Sequence, residues 1–525
     1  MKQAETIIRA SSARLCPSVI QPVKCKGLLS FAVFRFGERC TLEHDIPTFL
    51  AKKPGDIGNI CPLFEARGTC PFSYACRFGG AHTDPQGNQI SKEPDQPYQE
   101  TINGSSIQIQ IALRKKTFNF KRSEELLLEV LNALKEGNTG AMEREKPRLD
   151  MKTLKGKKFL APLTTVVEPA FYHKLVGEVG MITSGNLPFR RLCVDFGAEI
   201  TCGEMALATS LLSGVETFAK KINIILGTPS EYSLVKRHPS EKFFGVQLAG
   251  GFPDTMANIK YGDFVTVISA MRGVMRDVPL TVKLRTGLRE GILTADETIR
   301  TMVASARPDL ISFHPRSKEQ RYTKLANWDF VTPCLEACGD VPLWVCGDVL
   351  SWQDYYQRLE LYPISGVMVA RGALIKPWIF TEIEERRTWD ISANERLDLL
   401  RKFVNYGLDH WGSDDAGVER TRRFLLEFLS FQCRSSLSLF EYLIIFSFSF
   451  PEIIATFYLR YIPVGLLERL PQRINDRPPL YRGRNELETL LGSGRASDWI
   501  EISRMILGPT PEGFTFIPKH KASSY

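Results

Sequence analysis

Seven short apolar runs between residues 158 and 370 constrain the fold of this 525-residue chain more than any other feature. Most of the stretches between them are long enough for a helix, and strands that alternate with helices at this spacing form a parallel sheet. The runs are residues 158–163, 199–203, 243–248, 280–285, 310–314, 341–346 and 366–370. Seven or eight such units are typical of a TIM-type (β/α)8 barrel, so we predict an α/β barrel over residues 156–390.

The sequences that flank this barrel predict separate domains. Residues 83–155 are polar and read as a linker with one short helix near residues 126–134. Residues 391–525 have a basic, helical pattern and predict an all-helical domain. Six of the twelve cysteines fall in the first 76 residues, and in a reducing compartment such clustering indicates metal binding rather than disulfides. We therefore place two small metal-binding modules in residues 12–82.

Two sets of three cysteines and one histidine carry the metal prediction. Three thiolates and one imidazole suit tetrahedral zinc, and modules this small have too little core to fold without it. The sets resemble CCCH zinc fingers, whose members commonly bind single-stranded RNA, although the first set has about nine extra residues in its middle interval. Buried free cysteines are the alternative. The predicted ligands are Cys16, Cys25, Cys40 and His44 in the first finger, and Cys61, Cys70, Cys76 and His82 in the second.

Aromatic and arginine residues interleave in the second finger. Phe72, Tyr74 and Phe78 stand among Arg67 and Arg77. Aromatic rings can stack on unpaired bases while guanidinium groups bind phosphate, so this pattern predicts contact with RNA. The alternative is that the rings only cover the zinc site.

Polar side chains stand at the carboxyl ends of several predicted strands, where (β/α)8 barrels place their chemistry. They are Gln247, Lys283, His314 and Asp348, and the last strand runs into a glycine-bearing turn with Arg371. Loops after the seventh and eighth strands commonly hold a phosphate through backbone N–H groups and a cation. A single lysine or histidine at a strand end is more often structural. Their joint placement on successive strands predicts a site for a phosphate-bearing ligand.

Motifs along the chain resemble those of the tRNA-dihydrouridine synthase family. They include FLAPLTT at 159–165, NLPFRR at 186–191, TCGEMA at 201–206, LTVKLRTG at 280–287, RSKEQRYTK at 316–324 and VARGALIKPW at 369–378. The tail matches in HWGSD at 410–414, VGLLERLPQ at 464–472 and PKHK at 518–521. Paired CCCH fingers ahead of the barrel are typical of the family's Dus3 type, which acts on uridine 47 of tRNA.

The resemblance implies a flavoenzyme with FMN, zinc, and NADPH or NADH as reductant. In that family the reduced flavin gives a hydride to C6 of a flipped uracil, and a loop cysteine protonates C5. The resemblance implies that Lys283 stabilises negative charge on the reduced ring, that Gln247 hydrogen-bonds to the ring and that the helical domain binds the tRNA. The implied cofactor-binding residues are Ala161, Pro162 and Leu163 beside the ring, Gln247, Lys283, His314, Gly347 and Asp348, with Ala370, Arg371 and Gly372 around the phosphate.

The sequence departs from the family where the acid cysteine should stand. The family has a further strand here that ends in an Asn-x-Gly-Cys-Pro loop, yet this chain has no cysteine between Cys202 and Cys334. We therefore name no catalytic residue and predict that one barrel strand is missing with the acid. Inserts at residues 26–34, 166–184 and 435–460 interrupt family motifs. The last has the Phe, Ser, Leu and Ile bias expected of translated intron, so we hypothesise a splice variant or gene model with retained and skipped segments.

Charge and composition bear on the predicted partners and on the alternative functions. The net charge of +8 favours an anionic partner, which here is tRNA. The first residues lack the apolar core of a secretory signal and no clean membrane span occurs, so we expect a monomer in the cytoplasm or nucleus. One alternative function is a non-catalytic RNA-binding protein with a degenerate barrel. Another is a flavin barrel that acts on a small molecule, which leaves the fingers unexplained.

Overall fold

The computed structural model describes most of the predicted barrel and the second finger. The described residues are 15, 16, 19, 43–103, 107–121, 125, 128, 129, 132, 136, 147–163, 185–207, 234–249, 268, 271, 272, 275, 277–320, 324–432 and 483–518. The helix predicted near residues 126–134 and the inserts at 26–34, 166–184 and 435–460 lie largely or wholly outside them.

The nine described strands form two parallel sheets. They are β1 (Phe159–Leu160), β2 (Ile200–Cys202), β3 (Ala206–Leu207), β4 (Phe243–Gly245), β5 (Leu248–Ala249), β6 (Thr281–Arg285), β7 (Leu310–His314), β8 (Leu343–Val345) and β9 (Gly366–Val369). The larger sheet has the order β4-β2-β1-β9-β8-β7-β6, and β3 pairs with β5 in the smaller one. Each of the seven predicted apolar runs contributes one strand to the larger sheet.

The strand order is that of a barrel with one position open. Phe159 of β1 pairs with Ile200 of β2 on one side and with Met368 of β9 on the other, so the first and last strands are neighbours. A sheet that curls on itself brings its first and last strands together in this way, and the barrel prediction is confirmed. The sheet's two edges are β4 and β6, and in the described part of the chain no strand pairs with the free side of either. This gap is where the sequence predicts a lost strand.

The barrel core is built around Trp344. Its indole is fully buried, lies edge-on to Phe159 with ring centroids 5.5 Å apart, and packs against β9 at Gly366. A Cβ at Gly366 would come within 2.6 Å of the indole, so only glycine fits there. Strands β7, β8 and β9 are buried throughout, whereas Thr281 and Lys283 on the edge strand β6 are exposed. Burial therefore decreases towards the open side of the barrel.

Thirteen helices are described, and the chain divides into two compact units. The helices are α1 (Ile46–Lys52), α2 (Pro62–Arg67), α3 (Ile107–Arg114), α4 (Leu187–Asp195), α5 (Ala295–Ser305), α6 (Val331–Cys338), α7 (Trp352–Leu361), α8 (Arg371–Ile375), α9 (Ile379–Glu385), α10 (Ala393–Trp411), α11 (Asp415–Gln432), α12 (Glu486–Gly492) and α13 (Ala496–Leu507). One unit comprises residues 1–99, 394–427 and 496–517, and the other comprises 100–393, 428–495 and 518–525.

Polar side chains set several helix boundaries in the barrel unit. Asn186 caps α4 by accepting the N–H of Phe189, and Ser351 forms a reciprocal capping box with Asp354 at the start of α7. Such caps satisfy backbone N–H groups that have no partner inside the helix. They fix the residues at which these two helices begin.

In the other unit, Arg422 of α11 holds the end of α13. The guanidinium is fully buried and donates to the carbonyl oxygens of Ser503, Leu507, Gly508 and Pro509 at 3.0–3.2 Å. These include carbonyls that lack partners at a helix C-terminus, where a cation also interacts favourably with the helix dipole. Arg422 therefore joins two segments that are about eighty residues apart in sequence.

Candidate functional site

The carboxyl ends of β6 and β7 bring basic side chains together. In the parallel pairing, Lys283 lies opposite Ser312 and Arg285 lies opposite His314. Residues two apart on a strand share a face, and cross-strand partners share it too. These four side chains therefore line one face of the sheet near its carboxyl edge.

His314 lies at the centre of this basic environment. Its side chain is buried. Burial, followed by the charges of Lys283, Arg285, Arg316 and Arg371, holds the pKa of His314 well below its usual value. The imidazole is thus neutral at pH 7, and its Nε2 accepts a hydrogen bond from Arg316 Nη1 at 3.2 Å.

A single carboxylate, Asp348, binds two of these cations. Nη2 of the fully buried Arg316 donates to both Asp348 oxygens at 2.6 Å, and Arg371 also donates to Asp348. The N–H of Ala326 donates to Asp348 at 2.8 Å. Burial alone would raise the pKa of Asp348, but the bonds and charges of Arg316, with the charge of Arg371, hold it below its usual value. The carboxylate is therefore ionised and fixes both arginines.

The predicted cofactor residues stand in strands of the larger sheet or in the segments that follow them. Ala161, Pro162 and Leu163 follow β1, Gln247 follows β4, Lys283 and His314 stand in β6 and β7, Gly347 and Asp348 follow β8, and Ala370, Arg371 and Gly372 follow β9. Because the strands are parallel, these segments lie at one edge of the sheet. Gly372 is required there, since a Cβ would approach the carbonyl oxygen of Val349 to 2.6 Å.

The charge of this edge fits an anionic cofactor. Asp348 faces two arginines, and among the described residues no carboxylate forms an ion pair with Lys283 or Arg285. Uncompensated cations around a neutral imidazole favour a ligand that brings negative charge, such as a phosphate group. This edge is therefore compatible with a ligand that carries a phosphate group. The sequence indicated Asp348, but the role of Arg316 as the cation that it fixes was not predicted.

The four predicted ligands of the second finger converge. One ligand atom from each of Cys61, Cys70, Cys76 and His82 lies within 4.8 Å of the others. The Cys61 and Cys76 sulfurs are 3.7 Å apart, close to the roughly 3.8 Å edge of a tetrahedron with zinc–sulfur bonds of about 2.3 Å. His82 Nδ1 lies 2.8 Å from Gln89 Oε1, while its buried Nε2 has no hydrogen-bond partner among the residues that the structure describes. Such a fixed tautomer, with one free lone pair, suits a zinc ligand.

The first finger is described only in part. The N–H of Cys16 donates to the carbonyl oxygen of Glu43 at 2.8 Å, which brings Cys16 close to the neighbour of His44. Cys25 and Cys40 lie outside the described residues. Zinc in this finger stays a prediction.

The arginines of the second finger bind protein carboxylates. Arg77 Nη1 donates to Asp415 at 2.7 Å, and its side chain is only 9% exposed. Arg67 donates to Asp409 at 2.9 Å. The predicted phosphate contact is therefore wrong for Arg77, and Phe78 is buried as well. Neither Asp409 nor Asp415 could be recognised as a partner from the sequence, because no local pattern links positions more than 330 residues apart.

Two sequence profiles match the chain. One, described as Dihydrouridine synthase (Dus), matches residues 259–425, and the other, described as DUS3L CCCH zinc finger domain, matches residues 53–85. A human protein named tRNA-dihydrouridine(47) synthase (NAD(P)(+))-like is 40% identical over 98% of this chain and 81% of its own length. The chain belongs to the dihydrouridine synthase family. The predicted resemblance is confirmed.

Relatives with lower identity carry the same activity in their names. The tRNA-dihydrouridine(47) synthase of Coprinopsis cinerea is 34% identical over 95% of this chain and 87% of its own length. A protein of Oryza sativa subsp. japonica with the same name and the suffix "-like" is 34% identical over 94% and 84%. The alignment with the human protein spans 599 positions, more than the 525 residues of this chain. The human relative therefore has segments for which this chain has no counterpart.

None of the described helices combines the length and the hydrophobicity that a bilayer crossing requires. The apolar insert at residues 435–460 lies outside the described part of the chain.

Proposed function

We propose that this chain is an FMN-dependent tRNA-dihydrouridine synthase that acts on uridine 47, with NADPH or NADH as reductant. The observation that carries the proposal is 40% identity, over 98% of the chain, to a protein named for that activity. The basic edge of the barrel supports it, since FMN carries a phosphate. The overall reaction consumes uridine, NAD(P)H and one proton and yields dihydrouridine and NAD(P)+.

The chain's own residues would bind and orient the reactants. Bound FMN would supply the hydride for uracil C6. Arg371, with the backbone of Ala370 and Gly372, would hold the phosphate, while residues 161–163 and Gln247 would border the ring. Lys283 would stabilise negative charge on the reduced ring, and neutral His314 would contact the cofactor. Asp348 would act through Arg371 by fixing the position of its guanidinium.

The proposal extends to the domains, the partners and the compartment. Residues 12–82 would form two zinc fingers, 83–155 a linker, 156–390 the flavin barrel and 391–525 a helical tRNA-binding domain. The two fingers would hold one zinc ion each. The protein would act as a monomer in the cytoplasm or nucleus.

We further propose that this chain is a poor catalyst. It lacks the family's acid cysteine, and loss of a general acid typically lowers a rate by about 10²–10⁴. In the described part of the chain β4 and β6 are unpaired edges. They favour a second candidate, a non-catalytic RNA-binding protein with a degenerate barrel, because unpaired edges expose backbone groups and the core.

Mass spectrometry of tRNA separates these functions. The chain is incubated with unmodified tRNA, FMN and NADPH beside a version in which the missing strand and cysteine loop are restored. We expect dihydrouridine at position 47 from the restored protein and a rate at least about 100-fold lower from the chain itself. Equal rates would refute the impairment. No product from a folded, tRNA-binding restored protein would refute the enzymatic proposal.

A further inference from the structure

The turn between α10 and α11 contacts the metal cluster of the second finger. Ser413 in this turn is fully buried, and its Oγ lies 3.7 Å from the sulfur of Cys70. The N–H of Arg77, directly after the ligand Cys76, donates to the carbonyl oxygen of Ser413 at 2.8 Å. Ser413 therefore contacts both the predicted zinc ligand Cys70 and Arg77, the neighbour of the predicted ligand Cys76.

Two ion pairs flank this contact. Arg77 pairs with Asp415 at the first turn of α11, and Arg67 pairs with Asp409 near the end of α10. The hydroxyl of Tyr98 lies 2.6 Å from Arg67 Nη2 and 2.9 Å from Asp409 Oδ1, so it joins the second pair. Together the pairs attach the finger to both helices on either side of Ser413.

An aromatic contact completes the attachment. A Cβ on Gly412 would approach the ring of Phe72 to 2.5 Å, and Gly412 has a φ of +111°. Both the backbone conformation and the close approach require glycine here. The ring of Phe72, for which the sequence predicted base stacking, lies against this turn.

Zinc would define the direction of the hydrogen bond between Ser413 and Cys70. A zinc-bound cysteine is a thiolate and can only accept, so the Ser413 hydroxyl must donate. Donors to metal ligands orient them, and their loss typically lowers metal affinity 10–100-fold. The buried hydroxyl lies in the same compact unit as the finger.

We propose that the second finger and the α10–α11 hairpin form one zinc-dependent folding unit, in which Ser413 is a positioning residue for the Cys70 thiolate. The finger then serves to fix the hairpin, and Arg67, Arg77 and Phe72 are engaged within the protein rather than by RNA. This inference does not depend on the proposed enzymatic function. It concerns what stabilises the folded α10–α11 hairpin.

Hydrogen exchange on the full chain tests the shared folding. We expect a zinc chelator to lower the protection of amides in residues 394–411 and 415–427 at least tenfold, and added zinc to restore it. Protection in β7 and β9 should stay unchanged, which shows that the barrel has not unfolded. Full protection of both helices after the second finger has lost its zinc would overturn the proposal.

Zinc affinity tests the role of Ser413. All proteins carry His44→Ala, which removes a predicted ligand of the first finger, so that one site is followed. We expect Ser413→Ala to weaken zinc binding about 10–100-fold. Ser430→Ala is the matched control, because Ser430 is equally buried but lies in α11 roughly 20 Å beyond its first turn.

A second variant separates the hydroxyl from the ion pair. Asp415→Asn removes the carboxylate that Arg77 binds, but Asp415 is 51% exposed and does not contact the sulfur. We expect less than about a fivefold change in zinc affinity from it. If the Ser413→Ala protein binds zinc as tightly as the Ser430→Ala protein, the positioning role of Ser413 is overturned. If the Ser413→Ala protein does not fold, hydrogen exchange of the unaltered protein with and without the chelator still tests whether the finger and the hairpin fold together.

Discussion

Asp348→Ala removes the carboxylate that Arg316 and Arg371 share at the barrel edge, and it should strongly destabilise the barrel. The Arg316 side chain is fully buried, and both bonds from its Nη2 to Asp348 disappear in the variant. Arg316 also donates to the carbonyl oxygen of Lys324 and to His314, which carry no negative charge. The fully buried guanidinium therefore loses the carboxylate that neutralises it in this pair.

The expected magnitude follows from this burial. Removing one partner of a buried ion pair costs about 3–5 kcal/mol, because the other charge remains desolvated. The N–H of Ala326 also loses its acceptor, which adds to the cost. We therefore expect the free energy of unfolding to fall by about 4 kcal/mol, which lowers the urea midpoint by roughly 1–2 M. Asp348→Asn keeps one acceptor oxygen and should lie between this variant and the parent protein.

Urea unfolding followed by tryptophan fluorescence measures this effect. Trp328 is a suitable reporter because its Nε1 donates to the carbonyl oxygen of Gly347, next to Asp348. Asp340→Ala is the control, since Asp340 pairs with Arg307 on the surface with both side chains more than half exposed. Such pairs contribute at most about 1 kcal/mol. The reasoning would be refuted if Asp348→Ala destabilised the protein no more than Asp340→Ala does.

Three further predictions concern His314, Arg422 and Lys283. The pKa of His314 in the folded protein lies below its unfolded value near 6.5, so the unfolded chain binds more protons. The free energy of unfolding should therefore decrease below pH 6.5 by up to about 1.4 kcal/mol per pH unit. His314→Gln should remove this contribution to the pH dependence of stability between pH 7.5 and 5.5. An identical slope in both proteins would contradict it. Arg422→Met should lower the free energy of unfolding by about 3 kcal/mol and expose residues 496–508 to proteolysis, because four carbonyl oxygens lose a charged donor. Unchanged cleavage of this segment would contradict the prediction. Lys283→Met should lower the reduction potential of bound FMN by about 30–60 mV in a spectroelectrochemical titration, and an unchanged potential would exclude a charge beside the ring.

The apolar runs predicted the strands well because buried parallel strands have a simple signature. Each of the seven runs contributes a strand to one sheet, although every observed strand except β7 is shorter than its run. The run at 243–248 is the instructive difference. It divides after Gly245, and Leu248 pairs with β3 in a separate sheet instead of extending β4. Apolarity gives no information about which neighbour a residue pairs with.

The ligands of the second finger were predictable for a similar reason. Their spacing is local, and tetrahedral zinc restricts the residue types to cysteine and histidine. The partners of Arg67, Arg77 and Arg316 were not predictable, because long-range ion pairs leave no periodic or local trace in a single sequence. Asp348 was recognised as a site residue, but its two arginine partners emerged only from the structure.

The most direct test of the flavin site is a titration of the folded chain with FMN, followed by quenching of flavin fluorescence. We predict one FMN per chain and at least a tenfold weaker affinity in Arg371→Ala, because a charged phosphate contact is lost. A folded chain that binds no FMN, or an Arg371→Ala protein that binds it as tightly as the parent, would contradict the assignment of this barrel edge as the cofactor site.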